Sequence, residues 1–346
     1  MEPMKAARLH RTNSRLRVDE IPIPRPRTRE VLVEIKAAGV CHSDINYRDG
    51  VAPVAHLPIT LGHEFAGVIA GKGKNVVGLE RGNRVAVHYI VSCGRCEYCV
   101  GGKENYCDKY RMIGKDIDGG FANYAVVPAS NVLRLPESLP LEQAAILGCA
   151  VSTAYHSLRR GRASQNDTVL VNGVGGLGLQ AVQLARRIVK AKEIIAIDIS
   201  DEKLQLAMRF GATSVVNPIS GDTGKTVDEL TDGRLADVAL DFVGSKNTVE
   251  RTLRCIGKGG RLVVVGITSH SVSISPYSSI IGKETEIIGV NDHLKSEMMQ
   301  LIQHVESGDL NLVDSITHRF PLEDVNEAMD VLENQVGNPI RVVLQI

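Results

Sequence analysis

Two different rhythms of apolar and polar positions divide the chain. Up to about residue 150, short apolar runs stand apart at 31–35, 65–69, 84–88 and 124–127. Gly, Pro and Asn separate them, as at Pro22, Pro24 and Pro26 or in the glycine-rich stretch 71–74. Such runs, bounded by turn-forming residues, predict a β-rich domain with irregular loops. From about residue 165, continuous apolar runs at 168–172, 193–198, 237–242, 261–266 and 286–290 alternate with stretches of helical spacing. The predicted helices are 177–190, 201–210 stopped by Gly211, and 248–256 ended by the glycines of 257–260. Strands that are apolar throughout, alternating with helices, indicate a parallel sheet covered on both faces. A further helix over 322–333 leads to a strand at 340–346, expected to rejoin the first domain. The expected boundaries are therefore 1–150 with 291–346 for one domain and 151–290 for the other.

Composition narrows the partners. The 346 residues carry 40 Lys+Arg against 40 Asp+Glu, a net charge of zero. Binding to phosphate backbones needs a basic excess, so no nucleic-acid partner is expected. No run approaches the roughly 18 apolar residues of a membrane span, and the first residues lead into charge rather than an apolar leader. We therefore expect no membrane association and a cytoplasmic setting.

The densest chemistry is Cys93, Cys96, Cys99 and Cys107, four of the seven cysteines. Adjacent Cys-x-x-Cys pairs suit several structural disulfides poorly, and such frameworks belong to short secreted chains. Four thiolates at this spacing suit a closed, tetrahedral structural Zn²⁺ site.

The run 168–172 leads into Gly173, Val174, Gly175, Gly176, Leu177 and Gly178, with Asp198 at the end of the next predicted strand. Gly-x-Gly-x-x-Gly alone is weak. Between a strand and an amphipathic helix, with an acid twenty residues on, it is a dinucleotide fingerprint: backbone N–H groups meet the pyrophosphate and the carboxylate takes the ribose hydroxyls. Asp198 would repel a 2′-phosphate, and Ile199 and Ser200 supply no arginine for one, so NAD is expected over NADP. Lys203 either reaches the ribose or is a solvated surface lysine.

Further candidate ligands lie outside the cysteine cluster: Cys41, His63, Glu64 and Cys149. Two Cys and one His would leave the fourth position of a zinc open, as catalysis requires. A lone Cys is more often a small core residue, so Cys149 by itself stands as either. Cys255 fits no pattern and reads as a free core thiol.

Taken together, Cys41 to Asp44 (Cys-His-Ser-Asp), Gly62-His63-Glu64, the cysteine lobe, Gly148-Cys149 before Ser152-Thr153, and the nucleotide fingerprint resemble the zinc-dependent medium-chain alcohol dehydrogenases, over essentially the whole chain. The resemblance implies an α/β protein with a GroES-like β-rich catalytic domain, a Rossmann doubly wound parallel-sheet domain and an active-site cleft between them. It implies two zinc ions per chain, with Cys41, His63 and Cys149 on the catalytic one and Glu64 entering during ligand exchange. It implies that Asp44 holds the far nitrogen of His63 and that Ser43 passes the substrate proton on. By the same resemblance His42 and Arg341 face the pyrophosphate, Thr153, Val265, Ile267 and the region of Ile288 to Val290 line the nicotinamide, and Tyr89 borders the substrate pocket. Relatives often end the proton relay at a histidine five residues after the first ligand; here that position is Asn46, which is no base near neutral pH.

The expected reaction is NAD-linked oxidation of primary or secondary alcohols to aldehydes or ketones. A polyol or amino alcohol is the alternative substrate. A zinc-free reductase-like or structural protein is the remote one. A homodimer or homotetramer is expected, with 269–281 a candidate interface loop.

Overall fold

The computed structural model describes residues 2–267 and 271–346. The chain forms two compact units, residues 1–152 with 293–346, and residues 153–292.

The first unit is built on a sheet whose strands run in the order Val132–Arg134, Arg84–Val87, Glu64–Lys72, Glu30–Val40, Arg341–Gln345 and Ile316–Pro321. Glu30–Val40 is its hub. Side chains alternate between buried and half-buried along its first half, as a strand with one covered face requires. Val33 and Ile35 pack there with Phe65, Ile69, Val85, Val342 and Leu344. The last four residues of the hub are all buried. There Gly39 lies opposite Glu64 on one side, and Val40 opposite Val342 on the other. The register thus brings the C-terminal strand beside the entry to Glu64–Lys72.

The second unit is a six-stranded parallel sheet in the order Ser214–Val216, Glu193–Ile197, Thr168–Asn172, Ala236–Asp241, Ile256–Val264, Glu286–Gly289. The chain starts in the middle, winds to one edge, then returns and winds to the other. The switch falls between Thr168–Asn172 and Ala236–Asp241, the place where such sheets bind ligands. All five residues of Thr168–Asn172 are buried, which explains its apolar centre Val169-Leu170-Val171.

Two helices differ from their sequence expectation. The helix expected over 177–190 starts at Gly178 and turns π-helical at Ala185–Val189, ending on Lys190 in the left-handed region (φ 59). The helix expected over 248–256 is Lys246–Arg254, because Ser245 caps it through the Thr248 N–H. Ile256 already pairs with Ala236 across a bulge, so the glycines expected to end the helix sit inside a strand. Of the expected interface loop, Ser269 and His270 lie outside the described residues. Farther along, Tyr277 is 75% and Ile281 63% exposed.

Candidate metal centre and nucleotide site

In the first unit, Cys41, His63, Glu64 and Cys149 converge. Their ligand atoms all lie within 4.8 Å of one another, and all four residues are buried. Local sequence sets much of this. Cys41 caps helix His42–Arg48, and Asp44 in its first turn accepts the Cys41 backbone N–H at 2.9 Å. The other oxygen of Asp44 accepts from Gly62 N–H at 3.3 Å and meets His63 Nδ1 at 3.2 Å. One fully buried carboxylate therefore ties both segments together and turns His63 Nε2 away from itself. Gly62 adopts φ +91, and a Cβ there would stand 2.4 Å from the Phe121 ring, so glycine is required at the turn that delivers His63 and Glu64. Cys149 sits in the π-helical turn Leu147–Val151, a widened turn common at functional sites.

The four groups are buried together and their charges are coupled. His63 Nε2 and Glu64 Oε1 are buried with no hydrogen-bond partner. The thiol of Cys149 stabilises the Cys41 thiolate by hydrogen bonding, against burial, and holds Cys41 well below the usual thiol range while Cys149 rises. Burial opposes charge on His63, but Asp44 and Cys41 outweigh it and raise its pKa. Burial pushes Glu64 up to about 7, against the pull of Arg341. Two sulfurs, one imidazole nitrogen and a nearby carboxylate are the donor set of a zinc site, and His63 Nε2 is left without a hydrogen-bond partner among them. The residues fit the metal.

Arg341 stands beside this cluster. Expected to face a pyrophosphate, it is 2% exposed and donates to Glu64 Oε2 and, at 3.3 Å, to Val40 O. A buried carboxylate needs a countercharge, and the strand register supplies Arg341. Ser43 and Asn46 are half-buried and His42 exposed on the same short helix. Tyr89 is 1% exposed and packs edge-on to His63, with ring centroids 5.2 Å apart. Sequence reasoning missed His88 and His293, which flank Tyr89. His293 lies about two hundred residues from its partners, and no local motif marks it.

Cys93, Cys96, Cys99 and Cys107 form a second group with sulfurs within 4.8 Å. All are free thiols. The Arg95 and Cys96 backbone N–H groups hold Cys93 down at about 6, a thiolate-favouring environment. Helix Glu97–Val100 and one turn at Glu104–Tyr106 are the only regular helical structure inside the loop, so a cross-linking ion suits it.

In the second unit the expected nucleotide residues gather at the carboxyl ends of the strands. Gly173 leaves Thr168–Asn172 at φ +87, and a Cβ on Gly178 would stand 2.0 Å from Gly173 O, so the turn closes only with glycine. Gly175 has open space where a side chain would be, Gly176 is half-buried, and Leu177 is the N-cap of helix Gly178–Leu184. Asp198 accepts Val174 N–H at 2.9 Å and Ser200 N–H at 3.0 Å, which locks the glycine turn to the next strand. Ser200 caps Asp201–Phe210 through the Lys203 N–H. Val265 and Val290 follow the ends of adjacent strands, linked by Val290 N–H to Val264 O at 3.0 Å. Ile267 is 73% exposed, and Thr153 is buried, its carbonyl accepting from Ser157.

Comparison with known proteins gives the family. Residues 27–137 match the alcohol dehydrogenase GroES-like domain and residues 176–307 the zinc-binding dehydrogenase domain. The chain is 35% identical to an NAD-dependent alcohol dehydrogenase of Sulfurisphaera tokodaii, covering 98% of this chain and all of that one. It is 32% identical to an L-threonine 3-dehydrogenase of Bacillus licheniformis over 93% of this chain and 94% of the relative. A crystal structure of an E. coli CFT073 alcohol dehydrogenase complexed with NADH superposes with a TM-score of 0.93 at 31% identity, covering 100% of both chains. The chain belongs to the zinc-dependent medium-chain dehydrogenase family, and it is an oxidoreductase of the alcohol dehydrogenase type.

Proposed function

We propose that this protein oxidises primary or secondary alcohols to aldehydes or ketones with NAD, reversibly, using a catalytic zinc at Cys41, His63 and Cys149 and a structural zinc at the four-cysteine lobe. The observation that carries the reading is the buried donor set with His63 Nε2 directed into it. When bound, zinc acts as a Lewis acid that lowers the alcohol pKa, and NAD accepts the hydride. The chain's own residues do the rest. The thiolates of Cys41 and Cys149 would cancel the charge of a divalent cation held there, leaving a site that can take an uncharged alcohol. Asp44 fixes the tautomer of His63 by accepting its Nδ1 proton. Ser43 Oγ takes the substrate proton and passes it outward; with Asn46 in place of a base, water completes the path. Glu64 stands ready as an exchange ligand, its charge balanced by Arg341.

Asp198 supports NAD over NADP, since its carboxylate, already fixed at the glycine turn, would repel a 2′-phosphate. Among the described residues no helix is long and apolar enough to cross a membrane. We further propose a homo-oligomer, because Glu286–Gly289 is an edge strand with exposed residues. An amino-alcohol substrate is the second reading, favoured by the threonine dehydrogenase relative.

The deciding experiment is NAD-linked oxidation of primary, secondary, aromatic, polyol and L-threonine substrates, with zinc content measured on the same sample. Two zinc per chain with simple alcohols preferred supports the proposal. A preference for L-threonine transfers it to amino alcohols, and zero or one zinc overturns the catalytic assignment.

A further inference from the structure

Three aromatic side chains stand behind the candidate catalytic cluster, and the mechanism above uses none of them chemically. Tyr89, His88 and His293 are each at most 1% exposed. Tyr89 meets His63 edge-on, at 5.2 Å and 83°. His293 packs edge-on against Tyr89 at 5.1 Å and 86°, and its Nδ1 lies 3.5 Å from the Tyr89 hydroxyl. His88 stacks near Tyr89 at 5.9 Å and meets the His293 ring at 5.0 Å.

Each support is itself tied down. Asn131 exchanges hydrogen bonds with the backbone of His88, at 2.7 and 2.8 Å. His293 precedes helix Lys295–Glu306, whose first turn is closed by Leu294 N–H to Glu297 at 3.0 Å. The Lys295 N–H is held by Glu104, inside the cysteine lobe, at 2.7 Å. These bonds hold the backbone at and beside both histidines.

Asp44 fixes one end of the His63 ring, but a hydrogen bond at Nδ1 leaves rotation about that contact. The Tyr89 ring packs edge-on against His63. We propose that His293 is a positioning residue for the catalytic metal cluster: by holding the Tyr89 hydroxyl it fixes the Tyr89 ring against His63, and so sets the direction of His63 Nε2. This rests on the metal reading proposed above. Burial keeps His88 uncharged, with its pKa pushed down to about 4.

The test is a double-mutant cycle of His293→Phe and Tyr89→Phe in the full-length protein. Phenylalanine at 293 keeps the ring packing and removes Nδ1; His293→Asn restores a polar atom near the same place. The readouts are the visible absorption of the Co²⁺-substituted protein and the chelator-competition affinity of the catalytic site. Each single variant should weaken metal affinity about 5–10-fold, below the 10–100-fold typical of groups that touch a ligand directly. The double variant should add nothing further, and His293→Asn should recover most of the loss. An unchanged Co²⁺ spectrum and affinity in His293→Phe overturns the proposal, as do additive losses. If the wild-type protein takes up Co²⁺ at the cysteine lobe alone, the metal reading fails and this inference falls with it. If it takes up two and the variants leave the spectrum unmoved, only the positioning role fails.

Discussion

Arg341 and Glu64 form an ion pair from which water is excluded: the arginine side chain is 2% exposed and the carboxylate not at all. The pair joins the C-terminal strand to the first residue of Glu64–Lys72, across the hub strand that separates them. Glu64 also belongs to the metal-binding group. The last strand of the chain thereby places a positive charge beside the candidate centre.

Removing one partner should be far costlier than removing both. Arg341→Met leaves a carboxylate buried without countercharge, an expected loss of about 3–5 kcal/mol. Arg341→Met combined with Glu64→Gln should recover a large part of it. Urea unfolding of the single and double variants measures the difference; equal destabilisation by both would show that the pair is not coupled.

Acid should destabilise the first unit through His88. Its pKa is depressed to about 4 by burial. The unfolded chain, with an ordinary imidazole near 6.5, then binds more protons than the folded one between these values. Stability is therefore complete above about pH 6.5 and declines as pH falls toward 4, by about 3 kcal/mol for this group. His88→Asn should flatten the difference in unfolding free energy between pH 7 and pH 4.5 relative to wild type. Identical slopes for the two proteins refute the assignment.

At the nucleotide turn, Asp198 has two duties. It pins Val174 and Ser200 N–H groups, and it is the proposed ribose acceptor. Asp198→Ala should raise the Michaelis constant for NAD about 10–100-fold, the loss of one or two charge-assisted hydrogen bonds. The ratio of NADP to NAD efficiency should rise in the same variant, because the repulsive charge is gone. An unchanged cofactor ratio would count against NAD selection by this residue.

The two metal groups should separate on mutation. Cys149→Ser should reduce zinc content from two to one per chain and turnover at least 10³-fold, with thermal unfolding little changed. Cys107→Ser should also remove one zinc, but its main effect is on folding, since the loop has little regular structure of its own. Metal analysis and circular dichroism on both variants tell the sites apart.

The second unit was legible because its signals are local. A strand buried on both faces reads as an apolar run, and Gly173, Gly178 and Asp198 are demanded by backbone geometry within one strand–turn–strand. The cysteine lobe was legible for the same reason. Helix ends were less so: Ser245 as a cap and Ile256 as a strand start depend on which neighbour the chain pairs with, which a linear pattern does not contain.

Residue chemistry alone therefore determined the two architectures, the nucleotide turn, the closed metal lobe and the identity of the ligand candidates. Only the tertiary structure decided that Cys41, His63, Glu64 and Cys149 share one buried space, that Arg341 answers Glu64, and that His293 stands behind Tyr89. The physical reason is distance along the chain. Helical and strand periodicity act over a few residues, whereas these contacts arise from sheet register and from the return of the C-terminal segment after the whole second unit has been traversed.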